Sequence, residues 1–191
     1  PATFGVMRLQ QEFGKQQSNM GLSLTGVQRA LGGAAPDLLS LRSLLPTSAI
    51  AGGVDWKLRY RQGMYEITGW VGGSHVQGDS MAIGRLQRNS AHFFQRPDQS
   101  YVKYDGGRRS LSGSSASLRL DKNAGRFTLG GIQLSTRTPG FEINDVGQMR
   151  SGDDIDFNAD IQLRDTKPNK YVRLFNFGTA TQAGWNYGGV R

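Results

Sequence analysis

The stretch that decides the fold runs Ile50-Ala51-Gly52-Gly53-Val54-Asp55-Trp56-Lys57-Leu58-Arg59-Tyr60-Arg61. Its even-numbered residues are apolar, aromatic or glycine, whereas the odd-numbered residues from Asp55 onward are charged. Successive side chains of a β-strand point to opposite faces of a sheet. The pattern therefore predicts a strand with one apolar face and one charged face.

The same alternation returns along the whole chain. It is clear over 154–164 and 175–187, and weaker versions cover 3–13, 20–29, 65–76, 111–121 and 126–135. A tilted strand that crosses a membrane needs roughly 9–11 residues, whereas strands of globular proteins average about 5–6. Several of these segments reach the longer figure, so the chain is predicted to be all-β with about eight long strands.

The connections between these segments alternate in length. Short turns are predicted at 14–19, 62–64, 122–125 and 167–170, and long loops at 30–48, 77–109 and 137–152. Outer-membrane β-barrels combine short periplasmic turns with long external loops. We therefore predict one antiparallel up-and-down meander over 1–191 that is part of a transmembrane β-barrel, or a small one. Short helices are expected at 38–45 and from Asp79 to about His92.

The same pattern predicts an orientation. With the short turns in the periplasm, the first strand begins outside the cell, so an interior piece of a larger barrel is expected. A closed eight-stranded barrel is the alternative. Aromatic residues near the predicted strand ends are typical of the girdles at a membrane interface; they are Phe13, Tyr60, Tyr65, Tyr171, Trp185 and Tyr187.

Composition limits the possible functions. The formal net charge is +8, which suits anionic partners such as nucleic acid or membrane phosphates. There is no cysteine, which excludes a disulfide scaffold or a thiolate metal site. The start of the chain has neither the basic nor the apolar region of a signal peptide.

Several stretches carry a family resemblance; they are Arg8-Leu9-Gln10-Gln11-Glu12-Phe13-Gly14, Gly72-Gly73-Ser74-His75-Val76, Phe94-Gln95-Arg96-Pro97-Asp98, Pro139-Gly140-Phe141-Glu142-Ile143-Asn144-Asp145 and Ala183-Gly184-Trp185-Asn186. In them the chain resembles bacterial envelope proteins that join an N-terminal domain, similar to family 9 carbohydrate-binding modules, to a C-terminal outer-membrane barrel of unassigned function. The resemblance implies an outer-membrane location and a link to glycans. None of these stretches is a catalytic motif.

An acidic run is one candidate site. The run consists of Asp153, Asp154, Asp156, Asn158 and Asp160. Asp153, Asp154 and Asp156, with Glu142 and Asp145 in the preceding loop, could bind calcium through hard oxygen ligands. The favoured interpretation is a row of carboxylates in the barrel lumen that pairs with basic residues of other strands. The expected basic partners are Lys57, Arg59, Arg61, Arg119 and Arg164.

A basic long loop is a second candidate site, with Arg85, Arg88, Arg96, Arg108 and Arg109 among its residues. These cations could contact the phosphates of lipopolysaccharide, while a folded loop with its aromatics packed inward is the favoured alternative. Nucleic acid is not expected, because no nucleic-acid-binding motif accompanies the charge.

Trp70 is a third candidate, since it shares a predicted lumen face with Glu66, near Arg59 and Arg61. It could stack on a sugar, although filling space inside a barrel is the favoured interpretation.

An enzyme is not expected. The two histidines are His75 and His92, and Ser74 adjoins His75 but points to the other face of the predicted strand. The sequence thus favours a membrane anchor or passage whose partners are lipid, lipopolysaccharide, the rest of a larger barrel or envelope complex, and glycans. The first alternative is a water-soluble sandwich or half-barrel that binds a sugar or an anion and buries Trp56, Phe157, Phe175 and Phe177. The second is a hydrolase that uses Ser74, His75 or the acidic run.

Overall fold

The structure is a computed structural model that describes residues 1–32, 36–97, 99–168 and 170–190, and of residues 36–39 it describes the backbone. The strands are β1 (Ala2–Phe13), β2 (Ser18–Arg29), β3 (Ser48–Tyr60), β4 (Tyr65–Gln77), β5 (Ser110–Lys122), β6 (Thr128–Arg137), β7 (Asp154–Asp165) and β8 (Phe175–Trp185). The helices are α1 (Pro36–Leu44) and α2 (Ser80–Arg88). The predicted all-β chain with few, short helices is confirmed.

The eight strands form one antiparallel sheet in which each strand pairs with the next along the chain. This confirms the up-and-down meander. The sheet is not closed, because β1 pairs with β2 alone and β8 with β7 alone. The alternative of a closed eight-stranded barrel is therefore wrong for these strands, while the interior piece of a larger barrel stays a prediction.

The connections follow the predicted alternation of length. Tight turns lie at 14–17, 61–64 and 123–127, whereas the connection at 166–174 is longer than the predicted turn at 167–170. Residues 33–35 of the first predicted long loop, Asp98 of the second and Asn169 of that turn lie outside the described residues.

The strand register separates the sheet into two faces. Asp55 pairs with Trp70, Trp70 with Ser117, Ser117 with Ser135, and Ser135 with Asp156. Paired residues share a face, so these rows define one polar face across the strands. We call it the polar face, and its reverse the apolar face. The apolar face carries residues such as Leu9, Leu22, Leu24, Ile50, Trp56, Val71, Leu118, Leu120, Ile132, Leu134, Phe157, Ile161 and Phe177.

The apolar face is uncovered. Leu9 is 58% exposed, Ile132 54% and Phe177 55%, at the two edges and in the middle of the sheet. No second sheet packs on this face in the part of the chain that the structure describes. The residues expected in a sandwich core, Trp56, Phe157, Phe175 and Phe177, all lie on this face, so the structure does not form that core.

The hydrophobic core lies on the opposite face, at the long-loop end of the strands. Val27, Ala49 and Val76 of the sheet pack there against Ile83 of α2, and all four are buried. A second cluster joins Ala91, Phe141 and Met149, which come from two long loops. The long loops therefore fold inward over the polar face and cover one end of it.

The helices that sequence predicts are present with shifted ends. Asp79 caps α2, since its side chain accepts a hydrogen bond from the backbone N–H of Met81 at 3.0 Å, as predicted. The helix ends at Arg88 rather than near His92, and α1 begins at Pro36 rather than at Leu38. Among the described residues, neither helix combines the length and the apolar character that a membrane-spanning helix needs.

Gly113 allows a long loop to sit on the sheet, because a Cβ there would overlap the backbone nitrogen of Phe141. We predict that Gly113→Val will destabilise the protein by about 1–3 kcal/mol, the usual cost of overpacking. Limited proteolysis within 138–153 should accelerate at the same time. Gly5→Val is the matched control, because a Cβ at Gly5 meets no atom within 4 Å. Equal thermal unfolding and proteolysis of the two variants would contradict this role of Gly113.

Candidate functional site

The first half of the polar face holds ion pairs between neighbouring strands. Arg8 of β1 reaches across β2 to the carboxylate of Asp55 on β3 and also donates to Ser23 at 2.6 Å. Arg59 of β3 lies 3.1 Å from Glu66 of β4, whose other carboxylate oxygen lies 3.7 Å from the Lys57 ammonium. Each of these carboxylates is therefore matched by a cation on an adjacent or next-but-one strand.

The second half repeats the arrangement. Arg119 of β5 bridges Asp121 and Asp160 at 2.8 and 2.9 Å, and Arg137 of β6 lies 2.9 Å from Asp154 and 3.6 Å from Asp156. Of the basic partners that the sequence predicted for the acidic run, only Arg119 meets it, through Asp160. Lys57 and Arg59 pair with Glu66 instead, and Arg164 donates to the carbonyl oxygen of Gly125. The partner of Asp154 and Asp156 is Arg137, which the sequence did not indicate.

The structure does not assemble the expected calcium ligands. Asp153 is buried, with φ of 60°, and its carboxylate accepts hydrogen bonds from Tyr101 at 2.6 Å, from Arg96 at 3.3 Å and from Gln99. Asp154 and Asp156 face Arg137 instead. Among the described residues, no group of three acidic, histidine or cysteine side chains is arranged to hold a metal ion. A calcium site would have to break these contacts.

The basic loop is partly folded in and partly open. Phe94 is buried beneath the guanidinium of Arg108, 6.0 Å from the ring centroid. Arg88 lies 5.2 Å from the ring centroid of Tyr104, while Arg96 reaches inward to Asp153. The side chains of Arg85 and Arg109 are exposed. The expected inward packing of the loop aromatics therefore holds for Phe94, whereas Phe93, Tyr101 and Tyr104 are exposed. A contact of the exposed arginines with phosphate stays a prediction.

Trp70 lies on the polar face as predicted and is 39% exposed. Glu66 and Arg59 lie on the same face but are paired with each other. Arg61 does not join them. The strand ends at Tyr60, and Arg61 sits in the turn with φ of 48°, where its guanidinium lies 5.9 Å from the ring centroid of Tyr65. The prediction that Arg61 lies on the charged face of the strand is therefore wrong, because Arg61 belongs to the turn.

A buried contact that we call the latch joins two long loops to the sheet. Nε2 of His92 lies 2.9 Å from Oε2 of Glu142, and Nδ1 lies 2.8 Å from the carbonyl oxygen of Pro139. The backbone N–H of Glu142 donates to the hydroxyl of Ser74 on β4 at 2.9 Å. The side chains of His92 and Glu142 are 0% and 2% exposed. Sequence analysis grouped Glu142 with the acidic run, because nothing local indicates a partner 50 residues away.

The latch holds Glu142 as a carboxylate. Burial would raise the pKa of Glu142, but hydrogen bonds from His92 and from the backbone N–H of Asn144 outweigh burial, so the pKa lies below its ordinary value.

Ser74 and His75 do not form a catalytic pair. Ser74 faces the latch, whereas Nδ1 of His75 lies 2.7 Å from the hydroxyl of Ser112 on the apolar side of β5. No carboxylate is hydrogen-bonded to His75 among the described residues. The geometry of a hydrolytic triad is therefore not present around these two residues.

Comparison with protein-family models, curated proteins and solved structures found no match to this chain.

The lowered pKa of Glu142 predicts a pH dependence of the latch. A carboxyl group whose pKa is lowered by folding adds stability above its unfolded pKa, and this stability is lost as pH falls through the folded value. We therefore expect backbone amides near Asn144 to lose hydrogen-exchange protection, corrected for the intrinsic rate, as pH falls below about 4.3, the usual pKa of glutamate.

Glu142→Gln should weaken the same protection already at pH 7, because a neutral amide replaces the carboxylate that accepts hydrogen bonds from His92 and Asn144, at a cost of about 1.5–3 kcal/mol. Glu12→Gln is the control, because Glu12 is exposed on β1. Wild-type protection that stays constant into the acidic range, with no change in Glu142→Gln, would refute the role of the latch.

Proposed function

We propose that this chain forms part of the wall of a β-barrel in the bacterial outer membrane, where it acts as a membrane anchor or a passage. The observation that carries the proposal is the continuous, uncovered apolar face, which lies opposite a face whose charges are paired. Monomeric soluble proteins rarely expose contiguous apolar patches larger than a few hundred Å². In a barrel wall, lipid would contact the apolar face of this sheet and water would contact its polar face.

The strand lengths support the proposal. Most strands have 11–13 residues, and β6 has 10. A 12-residue strand rising about 3.3 Å per residue is roughly 40 Å long. Tilted by about 40°, it spans roughly 30 Å, close to the thickness of a hydrocarbon core.

Aromatic side chains support the same orientation. Phe13, Tyr60, Tyr65 and Phe175 lie at the short-turn ends of four strands, all on the apolar face. They are between 37% and 50% exposed. Aromatic girdles of this kind mark the membrane–water boundary of outer-membrane barrels.

The sheet has two unpaired edge strands, β1 and β8, which would have to be paired in a membrane. Every residue of β1 is exposed, and the outer backbone groups of β1 and β8 have no strand partner among the described residues. Unpaired backbone groups in hydrocarbon cost several kcal/mol each, so a membrane-spanning sheet needs a strand at each edge. We therefore propose that further antiparallel strands of a larger barrel pair with β1 and β8.

The exposed cations at the long-loop end fit a contact with the outer leaflet. Arg85 and Arg88 lie in the last turn of α2, and Arg109 lies just before β5. Guanidinium groups bind phosphate through paired hydrogen bonds. Lipopolysaccharide phosphates are the partner that this loop suits in the proposed setting.

The test is to refold the purified chain with and without detergent or lipid vesicles. We expect the β-sheet signal in circular dichroism and the protection from protease to require detergent or vesicles. Exposure of the apolar face to water is unfavourable, and detergent or lipid would cover it. A monodisperse protein that keeps its sheet in plain buffer would refute the membrane wall and favour a water-soluble binding module.

A pair of arginine substitutions tests which face meets lipid. Ile132→Arg places a charge at mid-strand on the apolar face, and we expect it to destabilise the vesicle-bound protein by about 2–4 kcal/mol. Gln182→Arg is the control, because Gln182 lies at a similar level on the polar face, linked through Asn158 to Gln133. Denaturant unfolding in vesicles measures both, and an equal effect of the two substitutions would refute the assignment of the faces.

A further inference from the structure

Trp70 is an exception on the polar face. It is the only aromatic residue on that face within β2 to β8, whereas Trp56 and Trp185 lie on the apolar face. Trp70 is 39% exposed, and its indole N–H has no hydrogen-bond acceptor among the described residues. Buried indole N–H groups usually find a partner. The Trp70 ring is instead partly exposed, and its indole N–H is available as a hydrogen-bond donor.

Hydrogen-bonding side chains surround the ring. Asp55 and Ser117 lie directly opposite Trp70 on the two neighbouring strands. Together with Lys57, Thr68 and Gln133 they line a cavity of about 470 Å³ on one side of the ring. Gln133 donates to Ser117 at 3.2 Å, and Arg8 holds Asp55 in place. The polar groups beside the ring are therefore preorganised.

A second cavity, of about 300 Å³, lies on the other side of Trp70. Phe141 and Ile143, brought over the sheet by the latch, line it together with Gly53 and Gly72. A Cβ at Gly53 would lie 2.5 Å from the carbonyl oxygen of Val71, and one at Gly72 would lie 2.7 Å from that of Gly52. The floor between Trp70 and Phe141 therefore stays free of side chains, which leaves room for a ring-shaped ligand.

The charges near the ring limit the class of ligand. Arg8 is paired with Asp55, Arg119 with Asp121 and Asp160, and Lys57 lies 3.7 Å from Glu66. A nucleotide or another polyanion binds through cations that are available to its phosphates. Here an anion would have to displace existing carboxylates, so an uncharged ligand fits better.

We propose that the polar face around Trp70, Asp55, Ser117 and Phe141 is a binding site for a neutral saccharide. Sugar rings present an apolar C–H face that stacks on indole, and hydroxyl groups at their edge that pair with carboxylate, amide and hydroxyl side chains. The two cavities flank the ring, so a chain of several sugar units can run along the face. The inference rests on the proposed function only in that the polar face borders water.

The experiment titrates the full chain, folded in detergent, with maltohexaose, cellohexaose, xylohexaose and the hexamer of N-acetylglucosamine. Tryptophan fluorescence and isothermal titration calorimetry are both recorded, because Trp70 variants lose the optical reporter. We expect at least one oligosaccharide to bind with a Kd of about 1 mM or lower. Trp70→Ala should weaken this binding roughly tenfold or more, and Trp70→Phe should retain part of it, because an aromatic face remains.

Trp185→Phe is the matched control, because Trp185 lies on the apolar face of β8, lines neither cavity, and its substitution should leave the affinity unchanged. Vesicle insertion is measured on the same variants. Saccharide binding that is lost in Trp70→Ala, while insertion stays normal, supports the site.

Three results would overturn the inference: no oligosaccharide binding by calorimetry up to about 10 mM, equal affinities of wild type and Trp70→Ala, or ATP binding through Trp70 in preference to every sugar. A wild type that inserts into vesicles but binds no sugar would remove this site and leave the membrane wall standing. A wild type that binds sugar through Trp70 but stays soluble in plain buffer would refute the membrane wall and leave the saccharide site standing.

Discussion

The whole structure depends on the two-residue period of the β-strand. Because alternate side chains point to opposite faces, one alternation repeated in eight strands produces a sheet with one apolar and one charged surface. A slip of one residue in any strand would move its charges onto the apolar surface. The ion pairs from Arg8–Asp55 to Arg137–Asp154 oppose such a slip, since each requires the observed register.

The position of the hydrophobic core follows from this arrangement. In a soluble sheet protein the apolar face is the one that packs, but here it is open and the packed clusters sit on the polar side. They form only at the long-loop end, where the polar-face positions change from charged residues to Val27, Ala49 and Val76. The polar face thus carries paired charges along most of the strands and, at the long-loop end, apolar residues on which the loops pack.

This division gives the polar face two regions with different roles. The loop-covered region is closed by packing and by the His92–Glu142 contact, whose cost of burial is offset by its hydrogen bonds. Beyond the loops, the face is open and its charges are locally balanced. Trp70 stands at the boundary, with the loop residue Phe141 on one side and polar side chains on the other. A loop that moved away from Ser74 would alter the second cavity and the access to the ring together.

The sequence by itself determined the strands, their order and their two faces, because alternation and turn residues are local properties of the chain. It also indicated the ion pairing of the acidic run, though not the role of Arg137. Only the tertiary structure decided between an open sheet and a closed barrel of these eight strands, and it alone showed that Glu142 meets His92 and that Phe141 and Trp70 line one cavity. Edge pairing and the seating of a loop depend on contacts between residues far apart in the chain, and no short-range pattern records which distant residues will meet.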